Sequence, residues 1–130
     1  PATPPPDFDL DLALASMDCM RQVAPSRLLF AHYGPVTAVD SALDRSEAVL
    51  RQWVDMVRDA RSMQMDLDHA VAMVRERTPI TFPDTLTRDE RDATWEFLSS
   101  TAANVAGISR WLDQTEGPGS TSGDAASVGR

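Results

Sequence analysis

The residue whose setting most invites chemistry is His32. It follows the apolar run Arg27-Leu28-Leu29-Phe30-Ala31 and precedes Tyr33-Gly34-Pro35. A neutral imidazole at the end of a strand is a competent zinc ligand, because the strand fixes the side chain while the turn beyond it leaves the ring accessible. The competing reading is a strand-end histidine whose ring bonds a backbone carbonyl, and position alone leaves both open. Tyr33 either lines a substrate pocket beside His32 or packs with its hydroxyl at the surface. Gly34 and Pro35 are read as the turn that aims His32.

Other polar residues have simpler explanations. Asp7, Asp9 and Asp11 alternate like the start of a calcium loop, but the glycine and closing glutamate of such a loop are missing. Acidic residues opening a helix are explained by its dipole. His69, close to Asp66 and Asp68, lies off the apolar stripe of its helix and is expected to be solvated. Cys19 is expected as a buried or half-buried thiol at the edge of an apolar helix face, with Arg21 nearby. As the single cysteine it excludes an internal disulfide or a cysteine-rich zinc site, and a reducing cytoplasm is the simplest compartment.

The elements that must position these residues follow from periodicity. Pro1 to Pro6 form a stiff extended lead-in. Asp7 is the expected cap of a first helix in which Leu10, Leu14 and Met17 share a face, running to about Val23 before Pro25. Arg27 to Ala31 reads as a short buried strand, ended by the Gly34-Pro35 turn. A long helix, capped by Asp40, carries Leu43, Leu50, Trp53, Val54 and Val57 on one stripe. Asp66 caps a third helix with Leu67, Ala70, Val71 and Val74 facing one way, up to Thr78-Pro79. Thr87 and Glu90 form a capping box before a last pattern of Trp95, Leu98, Ala102, Val105, Ile108 and Leu112. Trp53 and Trp95 are expected in the core. Trp111 falls beside its stripe, where it meets another subunit or covers a pocket. Asn104 is a candidate buried polar residue, and Gly107 costs its helix about 1 kcal/mol relative to alanine. From Gly117 onward the chain is Gly, Ser and Ala without periodicity, the composition of a disordered tail.

The fold expectation is therefore mainly α with one β-strand. A lone strand needs neighbours for its backbone groups, which points to a sheet whose other strands lie outside this sequence. The chain also opens on Pro1 rather than methionine, as a piece of a longer protein would.

Composition narrows the partners. Twelve basic residues oppose twenty acidic ones across 130 positions, for a net charge of −8. All the basic residues are arginine, a coding bias associated with GC-rich bacterial genomes. Scattered arginines on an acidic chain fit neither a nucleic-acid backbone nor an anionic membrane surface. No stretch approaches the length of a membrane span.

The segment Leu28-Leu29-Phe30-Ala31-His32-Tyr33-Gly34-Pro35 resembles the last metal-binding motif of the metallo-β-lactamase superfamily, an apolar strand ending in His-x-Gly-Pro. The preceding Pro4-Pro5-Pro6-Asp7-Phe8-Asp9, the helix after it and Ala24-Pro25-Ser26-Arg27 fit as well. The remainder, including Asn104-Val105-Ala106-Gly107, resembles the helical extension of one bacterial branch of uncharacterised hydrolases. The likeness covers nearly all of residues 1–114. It implies an αββα sandwich, with residues 1–36 as the end of the metallo-β-lactamase-like core, 37–116 as a helical C-terminal extension and 117–130 as tail. It implies a site for zinc or another divalent metal, two ions in the full-length protein, and hydrolysis of a small-molecule substrate by metal-activated water. His32 would be the final ligand. The family's His-x-His-x-Asp-His motif, its further His and its bridging Asp have no counterpart here, so the fragment alone would be inactive. The helical extension would shape the substrate entrance or a homodimer contact. The alternative is a non-catalytic helical interaction or dimerisation module, for which Met56, Met63, Met65 and Met73 offer adaptable apolar surface.

Overall fold

Asp9 opens the first helix: its extended backbone (φ −142°) and a 3.0 Å bond from the Leu12 amide to its carboxylate satisfy one of the amides a helix start leaves free. The cap is thus two residues later than Asp7, which lies outside the described residues. The computed structural model describes residues 8–30, 34–78 and 100–117. Within them the elements are α1 (Leu10–Val23), β1 (Leu28–Phe30), β2 (Gly34–Val36), α2 (Val39–Ser62), α3 (Leu67–Arg77) and α4 (Thr101–Thr115). The chain is mainly helical, as its periodicity requires.

The single-strand expectation is corrected. β1 pairs antiparallel with β2, Leu28 opposite Val36 and Phe30 opposite Gly34. Gly34 and Pro35 therefore belong to a strand and not to a turn. Gly34 adopts φ +71°, a left-handed conformation strained for residues with a Cβ, and nothing lies within 4 Å of where that Cβ would be. Conformation and not space calls for glycine. Pro35 opposite Leu29 lacks an amide to donate, which a strand with a free edge tolerates.

α1 ends as Ala24 turns left-handed (φ 49°) just before Pro25. α2 starts at Val39, one residue before Asp40, and Ala38 caps it without a side-chain bond. Asp66 caps α3 as expected, accepting the His69 amide at 2.9 Å.

The core lies between α2, α3 and α4. Trp53, Val54 and Val57 of α2, Val71 and Val74 of α3, and Val105, Ile108 and Leu112 of α4 form one buried cluster. Burying side chains of this size contributes about 1.5–3 kcal/mol each. The stripe expected on α2 is buried throughout. On α3, Leu67 is exposed, while Met73 joins Ala70, Val71 and Val74 inside. On α4, Val105, Ile108 and Leu112 are buried as expected, and so is the polar Asn104. Ala102 is exposed instead, and Thr101 and Trp111 widen the inward face. Gly107 is buried too, on a helix that packs against both α2 and α3. Trp111 thus belongs to the core, with Phe8 edge-on to its ring at 5.7 Å, and is no exposed contact residue. The Trp53 indole N–H is buried with no hydrogen-bond partner among the described residues.

Arginines clamp the end of α4 onto α2. Arg58 grips Glu116 through Nε and Nη2. Arg61 donates to the Ser109 and Gly117 carbonyls and pairs with Asp113 at 2.7 Å. Both cations lie near the C-terminal end of α4, where the helix dipole favours positive charge. Trp95 and the Thr87–Glu90 capping box, like residues 118–130, lie outside the described residues.

Candidate functional site

The sequence directs attention to the segment joining β1 and β2. His32 and Tyr33 belong to residues 31–33, outside the described residues. What is described is the frame: β1 delivers the chain to that segment, and left-handed Gly34 opens the strand by which it leaves. Leu29 in β1 is 75% exposed, so an apolar side chain stands uncovered one residue before the strand's end.

No group of three or more histidine, cysteine, aspartate or glutamate side chains among the described residues can hold a metal. Asp9 caps α1 and Asp11 lies in its first turn, while Asp7 lies outside the described residues. His69 is exposed, as expected, with Nδ1 2.7 Å from the Asp66 carboxylate. The Asp66 carboxyl is held below its ordinary range by the His69 amide and then by the ring. That pair is a helix cap. Cys19 is exposed, contrary to expectation, because α1 buries none of its residues.

Where α1 meets α2, one arginine bridges the two helices. Arg21 donates to Asp18 at 2.9 Å and to Asp44 and Glu47 at 3.0 Å. Arg51 completes the cluster on Glu47 at 2.9 Å. Bonds to Asp44 and Glu47 raise the guanidinium pKa of Arg21. Bonds from Arg51 and then Arg21 lower that of the Glu47 carboxyl.

Beside this cluster runs a groove of about 380 Å³, lined by Phe8, Ala13 and Met17 on one side and Arg45, Ser46, Val49 and Leu50 on the other. Each wall is built from residues one helical turn apart, Ala13 with Met17, Arg45 with Val49, Ser46 with Leu50. The sequence reading missed the groove. Its signal was present in the half-apolar α1 face and in the apolar α2 residues N-terminal to Trp53, but nothing local states that two helices leave space between them.

No family model, curated protein or solved structure matches the chain. No helix among the described residues is long and apolar enough to cross a membrane.

Proposed function

We propose that this chain is the C-terminal part of a metal-dependent, zinc-type hydrolase of the metallo-β-lactamase superfamily, acting on a small-molecule substrate in the cytoplasm. Residues 1–36 end its αββα core, and the following helices form an extension at the substrate entrance or a homodimer contact. The observation that supports the reading is the hairpin. β1 and β2 pair only with each other among the described residues, so each has a free outer edge, next to exposed Leu29. A two-stranded hairpin is marginal by itself in water, and its free backbone groups suit a larger sheet.

The described residues do not fit a metal by themselves. A zinc site takes three or four protein ligands, and this chain offers His32 from the motif it shares with the family. The remaining ligands would come from polypeptide outside this sequence. A metal pair, when bound, would supply an activated water and polarise the bond to be hydrolysed. The chain's own part is narrower. His32 would hold a metal and Tyr33 would line the pocket, while Gly34 and Pro35 set the strand by which the chain leaves that segment.

The test is to read the coding sequence upstream of the Pro1 codon and then measure the metal content of the whole polypeptide. An in-frame His-x-His-x-Asp-His is expected, with His32→Ala lowering bound metal by about one ion per chain. A start codon close to Pro1, or metal content indifferent to His32→Ala, would refute the proposal.

The exposed trio Met63, Met65 and Leu67 at the α2–α3 junction favours the second reading, a helical interaction module. Met56 and Met73 do not contribute to it, being buried in the core.

A further inference from the structure

The geometry points to the groove between α1 and α2 as a binding site for an amphipathic carboxylate, its apolar tail lying between the helices and its head group at Arg45. The site is independent of the metal reading, since it does not involve His32.

Size, lining and charge each bear on the ligand. At roughly 30 Å³ per heavy atom, the share a water molecule takes in the liquid, about 380 Å³ accommodates on the order of a dozen non-hydrogen atoms. That is a medium-chain acid. Ala13, Met17, Val49 and Leu50 supply an apolar wall on both sides, with Leu50 only 3% exposed. Such a lining with few polar groups is the usual composition of a small-molecule site.

Charge selects the head group. Of the four arginines on α2, Arg51, Arg58 and Arg61 all engage carboxylates. Arg45 makes no ion pair among the described residues and lines the groove instead. Its sequence neighbour Asp44, like Glu47, is engaged by Arg21. A guanidinium at the edge of an apolar groove, with its sequence-neighbouring carboxylates engaged by Arg21, is complementary to an anionic head on an apolar chain. Ser46, also on the groove, adds a hydroxyl that can donate to the same carboxylate.

The test titrates the full 130-residue chain with decanoate and with decan-1-ol, below their aggregation concentrations, following backbone amides by NMR. Saturable shifts confined to residues around Ala13–Met17 and Arg45–Leu50 are expected for both ligands, tighter for decanoate. Arg45→Gln should weaken decanoate about threefold to fivefold, the scale of an exposed ion pair, and leave decan-1-ol unchanged. Val49→Trp should abolish both, and Ala13→Leu provides a milder block if Val49→Trp does not fold. Shifts that are absent, that spread over the whole chain, or decanoate binding that Arg45→Gln leaves unaltered would overturn the proposal. So would shifts at these residues that follow protein concentration without ligand, since a second copy would then fill the groove.

Discussion

Helices α2, α3 and α4 close a core around Trp53, whereas α1 and the hairpin bury none of their described side chains. Both regions are amphipathic. They differ in whether the partner of the apolar face lies within the described chain. In the first region three stripes meet and exclude water. In the second, Phe8 and Leu10 lean on the core while Leu12, Met20, Val23 and Leu29 face solvent. Across the join to α2, Arg21 pairs with Asp44 and Glu47. Exposed pairs of that kind are weak and salt-sensitive. A finished helical unit therefore carries an unfinished one, and the proposed function reads the unfinished one as the edge of a larger sheet.

Truncation should expose the contrast most strongly. Trp53→Ala is expected to cost about 3–5 kcal/mol and Leu112→Ala about 2–5 kcal/mol, through lost transfer energy and the cavity left behind. Leu12→Ala and Val23→Ala should stay within about 0.5 kcal/mol, as surface changes do. Urea unfolding of the four variants measures this, and equal losses in both sets would remove the distinction.

Next in size is Arg61→Ala, expected to cost about 1.5–3 kcal/mol. It removes charge-assisted bonds to the Ser109 and Gly117 carbonyls from a mostly buried side chain. The loss should appear in the main unfolding transition, because this clamp belongs to the finished unit.

Asp9→Ala removes the α1 cap, worth about 1 kcal/mol to that helix. Helical circular dichroism should fall while the main urea midpoint stays in place. A shifted midpoint would show that α1 unfolds together with the core.

The smallest effect is in pH. Glu47 is held below its ordinary value of 4.5 by Arg51 and Arg21. A depressed carboxyl stabilises the folded state above its unfolded pKa and loses that contribution as pH falls through the folded value. The join between α1 and α2 should therefore loosen below about pH 4.5, visible as faster amide exchange in α1 relative to α2. The cap at Asp66, depressed by the His69 amide, should weaken the start of α3 in the same direction.

The parts legible in the sequence were those set by local periodicity and capping. The α2 stripe through Trp53, the Asp66 cap and the end of α1 near Val23 needed only spacing and side-chain chemistry. The second strand was hidden because Gly34-Pro35 carries strong turn chemistry, while strand pairing is decided by a neighbour. On α4 spacing found Val105, Ile108 and Leu112 and marked Asn104 as a buried polar residue, but it put Ala102 inside in place of Thr101. Thr101 is polar, and burial of a polar group depends on tertiary partners that spacing does not reveal. Trp111 was assigned outward for the same reason, since Phe8, which meets it, lies far away in sequence. Of the candidate site, the frame around His32 is described, and the α1–α2 groove was legible only once both helices were placed together.

Native-state hydrogen exchange on the intact chain tests the central contrast most directly. The account predicts that the slowest amides of α2, α3 and α4 share one opening free energy, while those of α1, β1 and β2 exchange through smaller, separate openings. Equal protection across all six elements would contradict it. The hairpin would then be complete as it stands, and the argument that it awaits a larger sheet would lose its support.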